Sequence, residues 1–158
     1  MTIPQGLTYN NFVNIQETYS DFVGLIPRWK QVKDNQDLKK RFCNRNRNPL
    51  FDLSGTKFFK TGLGSKGGLF MVDPVQDHYV QRTKAVELIF NSLEKNPTMG
   101  INNFIKLLKK YCSTVSLTVD EHKEVTSYCK KNKGIYNYQA YEACGIRIEG
   151  LSEIILAD

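Results

Sequence analysis

Apolar residues recur at helical spacing in three stretches of this chain, and that periodicity limits the fold more than any other feature. Phe12, Ile15, Tyr19, Phe22, Val23 and Ile26 share one face of a helix that Thr8 caps and that Gly24 and Pro27 are expected to end. Val86, Ile89, Phe90 and Leu93 form a second stripe, in a helix expected over 82–95 and broken by Asn96 and Pro97. Ile101, Phe104, Ile105, Leu108, Tyr111 and Cys112 form the third. Such stripes must bury against one another, so helices dominate the expected architecture.

The pattern changes elsewhere. Residues 51–59 (FDLSGTKFF) and 67–73 (GGLFMVD) read as strands joined by the turn-rich 61–68 (TGLGSKGG). Residues 113–118 (STVSLT) read as a further short strand. Thr118 or Asp120 caps a helix over 121–131, with Glu121 as a capping-type acid and Gly134 as the stop. The aromatic and apolar tail is expected to pack back on the core. The fold class is therefore α+β: one helix-rich domain over 1–158 with a small antiparallel β element. Within it, 1–49 is a helical basic part, 50–133 a central unit, and 134–158 a packing segment.

Hydrophobic residues are 41% of the chain, enough to build a core and to exclude wholesale disorder. No apolar run has the length of a membrane span, and the N-terminal residues lack the charged start and apolar centre of an export signal. No membrane association is expected. The four cysteines (Cys43, Cys112, Cys129 and Cys144) form no C-x-x-C pair and read as reduced thiols.

The formal charge of +6 suits a polyanion binder. It is concentrated in 28–49, where Arg28, Lys30, Lys39, Lys40, Arg41, Arg45 and Arg47 are the candidate nucleic-acid contacts. Leu38 and Phe42 place a short helix there, and 44–49 reads as an exposed loop. Trp29 reads as a packing anchor rather than a base-stacking residue. Lys66, in the glycine-rich stretch, is a further candidate contact, although that stretch lacks the Lys-Ser/Thr pair of a nucleotide-binding loop and reads as a hairpin loop. Lys106, Lys109 and Lys110 fall on the solvent face of their helix, and Tyr136, Tyr138 and Tyr141 read as packing residues.

The two histidines both follow an acid. His78 ends Val75-Gln76-Asp77-His78, past an expected strand, and His122 lies in the first turn of the last long helix, after Asp120-Glu121. Without the two intervening helices, the order is strand, Asp-His, strand, helix, His. That order resembles the ββα-metal (HNH) endonucleases. More loosely, QDHYVQR, CSTVSLTVDEH and YEACGIRIEG resemble a small phage-type nuclease.

The resemblance covers about residues 67–130 and implies a ββα-metal-like core carrying a helical insertion. It implies His78 as the general base that activates water, and Asp77 and His122 as ligands of a divalent cation: magnesium or manganese, with zinc as the further option. Arg82 fits either neutralisation of a phosphate or an ion pair with Asp77 or Glu87. The family's middle Asn has no assigned counterpart; Asn102 and Asn103 lie in the span but on an expected helix. The supporting zinc cysteines of some members are absent.

The expected activity is metal-dependent hydrolysis of nucleic-acid phosphodiesters, DNA ahead of RNA, in the cytoplasm (that of the host cell if the chain is phage-encoded). The alternatives are a non-catalytic nucleic-acid-binding or regulatory protein of phage or mobile-element origin, and a viral structural or host-interaction protein whose charge is incidental.

Overall fold

The computed structural model describes residues 2–54 and 56–156. Gly55, inside the expected strand 51–59, lies outside the described residues, as do Met1, Ala157 and Asp158 of the expected domain. The Thr8 hydroxyl accepts from the Asn11 amide at 3.2 Å and starts helix α1, Tyr9–Val32. Contrary to expectation, α1 runs through Pro27. An internal proline costs about 3 kcal/mol. Ile26, Trp29 and Val32 are all buried, each worth about 1.5–3 kcal/mol, so the helix persists.

Helix α2 (Gln36–Asn46) is capped by Asn35, and α3 (Asn48–Ser54) follows at once, so the expected loop at 44–49 is a hinge between helices. Trp29, Phe42 and Phe90 meet where α1 and α2 pack, with ring centroids 4.8–5.7 Å apart.

Strand β1 (Lys60–Gly64) falls in the expected hairpin loop, and β2 is Val75–His78. The expected strands 51–59 and 67–73 are not formed among the described residues: α3 enters the first and helix α4 (Lys66–Phe70) the second. Gly64 and Gly68 serve close approach, whereas Gly62 takes a left-handed φ of 76°. A Cβ on Gly64 or Gly68 would stand 2.5 or 2.2 Å from the Ser116 carbonyl oxygen. Helices α5 (Arg82–Lys95) and α6 (Ile101–Cys112) match the expected stripes, and β3 is Thr114–Leu117.

The sheet order is β1-β3-β2, with β1 parallel to β3 and β2 antiparallel to it. It is therefore mixed, not the purely antiparallel element expected. A parallel pair requires a long crossover, and α5 and α6 lie within it.

Helix α7 (Val119–Lys131) leaves β3 directly. The Thr118 hydroxyl accepts from the Glu121 amide at 3.1 Å, and the Glu121 carboxylate accepts from the Thr118 amide at 2.9 Å. Helices α8 (Asn137–Ala143) and α9 (Leu151–Leu156) complete the described residues. One hydrophobic cluster links α1, α2, α5, α6, β3 and the tail. Among the described residues, no helix is long and apolar enough to cross a membrane.

Candidate functional site

Register brings the site together. Strand β2 pairs with β3 so that Asp77 faces Val115 and His78 faces Thr114. The Thr118 cap aims the first turn of α7 back over β2. His122 thereby reaches Asp77 from 45 residues away in sequence, with Nδ1 2.7 Å from Oδ1.

Asp77 is 2% exposed, so its carboxylate must be compensated locally. Its Oδ2 accepts from the Tyr141 hydroxyl in a short hydrogen bond and from Asn137 Nδ2 at 3.3 Å. Asn137 Nδ2 also donates to the His78 carbonyl at 2.8 Å, and its amide donates to Gln81 Oε1 at 3.3 Å. Cys129 Sγ donates to Asn137 Oδ1 at 3.3 Å. The Asn137 side chain on α8 thus ties the strand end to the carboxylate, and its backbone amide holds Gln81 at the start of α5.

His78 sits beside this cluster. Arg82 Nε, one helical turn on, donates to His78 Nε2 at 3.4 Å. Burial, and then the Arg82 charge, lower the His78 pKa to about 4, so the ring is neutral at neutral pH. Burial first, and then Arg47, lower the Arg82 pKa from its usual value. Asp77, His78, Gln81, Arg82, His122, Asn137 and Arg47 line one cavity of about 460 Å³. The structure therefore brings together Asp77, His78, Arg82 and His122, and adds Arg47 from the basic segment to the same wall.

The other basic candidates lie apart from this cavity. Arg28, Lys30, Lys40, Arg41 and Arg45 are exposed on α1 and α2. Lys39 is tied to Glu87 at 2.9 Å, and Lys33 to Glu94 at 2.6 Å. Lys66 lines a different concavity, beside Arg147 and Glu149. Trp29 is buried and donates through Nε1 to Glu94 at 3.2 Å, which accounts for it as an anchor.

Asn137, Tyr141 and Gln81 are site residues that sequence reasoning missed. One signal existed: Asn137 and Tyr141 are four apart in a helix and share a face.

Asp77 Oδ1 and His122 Nδ1 meet in a direct hydrogen bond of 2.7 Å, so a divalent cation held by both would have to replace the proton between them. Tyr141 and Asn137 orient the carboxylate through Oδ2. Among the described residues, no group of three or more His, Cys, Asp or Glu is arranged to hold a metal, so any further ligands would be water and substrate oxygen. No family model matches this chain, nor does any curated protein or solved structure.

Proposed function

We propose that the protein is a divalent-cation-dependent endonuclease of the ββα-metal type, similar to small phage nucleases, that hydrolyses nucleic-acid phosphodiesters. The observation that carries this reading is the convergence of Asp77 and His122 to 2.7 Å beside the neutral His78, in a cavity flanked by Arg47 and Arg82. Asp77 and His122 would hold the cation, with the His122 Nδ1 proton given up on binding. A cation held there supplies charge stabilisation for the phosphorane-like transition state and the leaving oxygen.

His78 accepts the proton of the attacking water. Its 3.4 Å contact with Arg82 is at the outer limit of a hydrogen bond, so an incoming phosphate draws the guanidinium away and frees the ring nitrogen. The phosphate charge also offsets the Arg82 charge that depresses the His78 pKa. Asn137 fixes the His78 backbone carbonyl and so the strand end that presents the ring.

A second reading rests on the fact that both Asp77 oxygens already accept hydrogen bonds. In that reading Asp77 only orients His122 through Nδ1, and the outward Nε2 is the base, with no resident cation. Plasmid nicking separates the two. The first expects cleavage with magnesium or manganese that EDTA abolishes and that His78→Ala loses while the fold survives. Cleavage that persists in EDTA and falls with His122→Ala supports the second. Salt-sensitive DNA binding without nicking under any divalent metal leaves the non-catalytic binder.

A further inference from the structure

Beyond the cavity at Asp77, residues 79–80 turn the chain toward a second concavity. Tyr79, Val80, Lys110, Tyr111, Tyr136 and Tyr138 are among the residues lining a space of about 200 Å³. The Tyr136 and Tyr138 rings stack there, 5.2 Å apart and 8° from parallel, and both are half-buried. Lys84 Nζ lies 4.8 Å from the Tyr136 centroid, and Lys110 Nζ 5.7 Å from that of Tyr111. Tyr79, Lys110 and Tyr111 are shared with a larger groove of about 860 Å³. Lys60, Lys106 and Lys109 also line that groove, and Glu153 is its one carboxylate among the described residues.

The two concavities share Tyr79, Lys110 and Tyr111 and form one surface, separate in its lining from the Asp77 cavity. Parallel half-exposed aromatic rings bordered by ammonium groups match flat bases on an anionic backbone. Duplex DNA hides its base faces, so it cannot use the rings. An acidic peptide would use the lysines but not the stacked pair.

We propose that the groove from Tyr136 and Tyr138 along Tyr111, Lys106 and Lys60 binds unpaired nucleotides of a single-stranded nucleic acid. The inference goes beyond the nuclease reading, because binding in this groove is independent of cleavage.

The experiment is fluorescence anisotropy of a labelled thymidine oligonucleotide with the full chain in EDTA, beside a duplex of equal length. The single strand is expected to bind more tightly than the duplex. Lys60→Gln with Lys106→Gln is expected to lower the slope of log affinity against log salt by about 1.4, or about 0.7 per lost phosphate contact. Tyr138→Ala is expected to weaken binding about tenfold, and Tyr138→Phe to retain it. Should Tyr138→Ala fail to fold, the two lysine changes, both at exposed positions, carry the test with Tyr138→Phe.

Equal affinity for duplex and single strand overturns the proposal, as does an unchanged slope in the lysine variant. Binding only to phosphatidylserine vesicles, or only to an acidic peptide, also overturns it. Plasmid nicking without groove-dependent binding of the single strand would sink this groove but not the endonuclease. Groove-dependent binding without nicking would do the reverse.

Discussion

Asp77 is the residue on which the site turns, because a carboxylate that is 2% exposed survives only with its partners in place. Tyr141→Phe removes one donor from Oδ2 and leaves the ring. The loss of a hydrogen bond to a buried charge is expected to cost about 1–3 kcal/mol in urea unfolding. Manganese affinity, read by calorimetry, is expected to fall about 10- to 100-fold, because the ligand loses its orientation. Unchanged manganese binding in that variant would mean that Tyr141 serves packing alone.

His78 carries the opposite linkage from a paired carboxylate. Its folded-state pKa of about 4 lies below the ordinary 6.5, so the unfolded chain takes up a proton that the native state refuses. The contribution of the neutral ring is fully present above pH 6.5 and is lost as pH falls toward 4. In EDTA, the wild type is expected to lose about 2–3 kcal/mol more than His78→Gln between pH 7 and pH 4.5. Equal losses would show an imidazole open to solvent.

At this scale the sequence was legible where chemistry and order coincide. Two histidines, each after an acid and near an element end, single out Asp77, His78 and His122, which line one cavity. Asn137 and Tyr141 were hidden because their function depends on α8 folding back over β2, and local spacing reads the same for packing residues.

Elements were readable where periodicity is long. Helices α5 and α6 lie where their apolar stripes put them, and Thr118 caps α7 as its hydroxyl and Glu121 suggest. Reading failed where one residue type has two uses. Pro27 looks like a terminator, yet the apolar face beyond it outweighs the lost hydrogen bond. The glycines at 61–68 look like a flexible loop, yet Gly64 and Gly68 are buried against β3. The distinction is measurable. Gly68→Ala forces a Cβ against the Ser116 carbonyl and is expected to cost about 1–3 kcal/mol or more. Gly24→Ala, in the middle of α1 with nothing within 4 Å, is expected to stabilise by about 0.5–1 kcal/mol. Thermal melts that ranked the two the other way would contradict the packing of α4 on β3.

Across the whole molecule, the +6 charge divides into surfaces with different uses. Part of the basic N-terminal segment is spent internally: Lys33 and Lys39 tie α1 and α2 to Glu94 and Glu87 of α5. Half-buried ion pairs at the surface add about 0–1 kcal/mol each and neutralise part of the basic charge of this segment. Arg45 and Arg47, at the end of α2, are exposed, and Arg47 reaches the wall of the Asp77 cavity. If the duplex approaches along α2 toward that cavity, Arg45→Gln with Arg47→Gln should lower the salt slope on duplex DNA by about 1.8, or about 0.9 per phosphate. Lys39→Gln should leave the slope unchanged, because Glu87 already holds that ammonium. Both variants are to be titrated on one duplex in EDTA from low to moderate salt, so that cleavage does not enter. A slope that moves with Lys39 and not with the two arginines would mean that α2 turns its other side to the DNA.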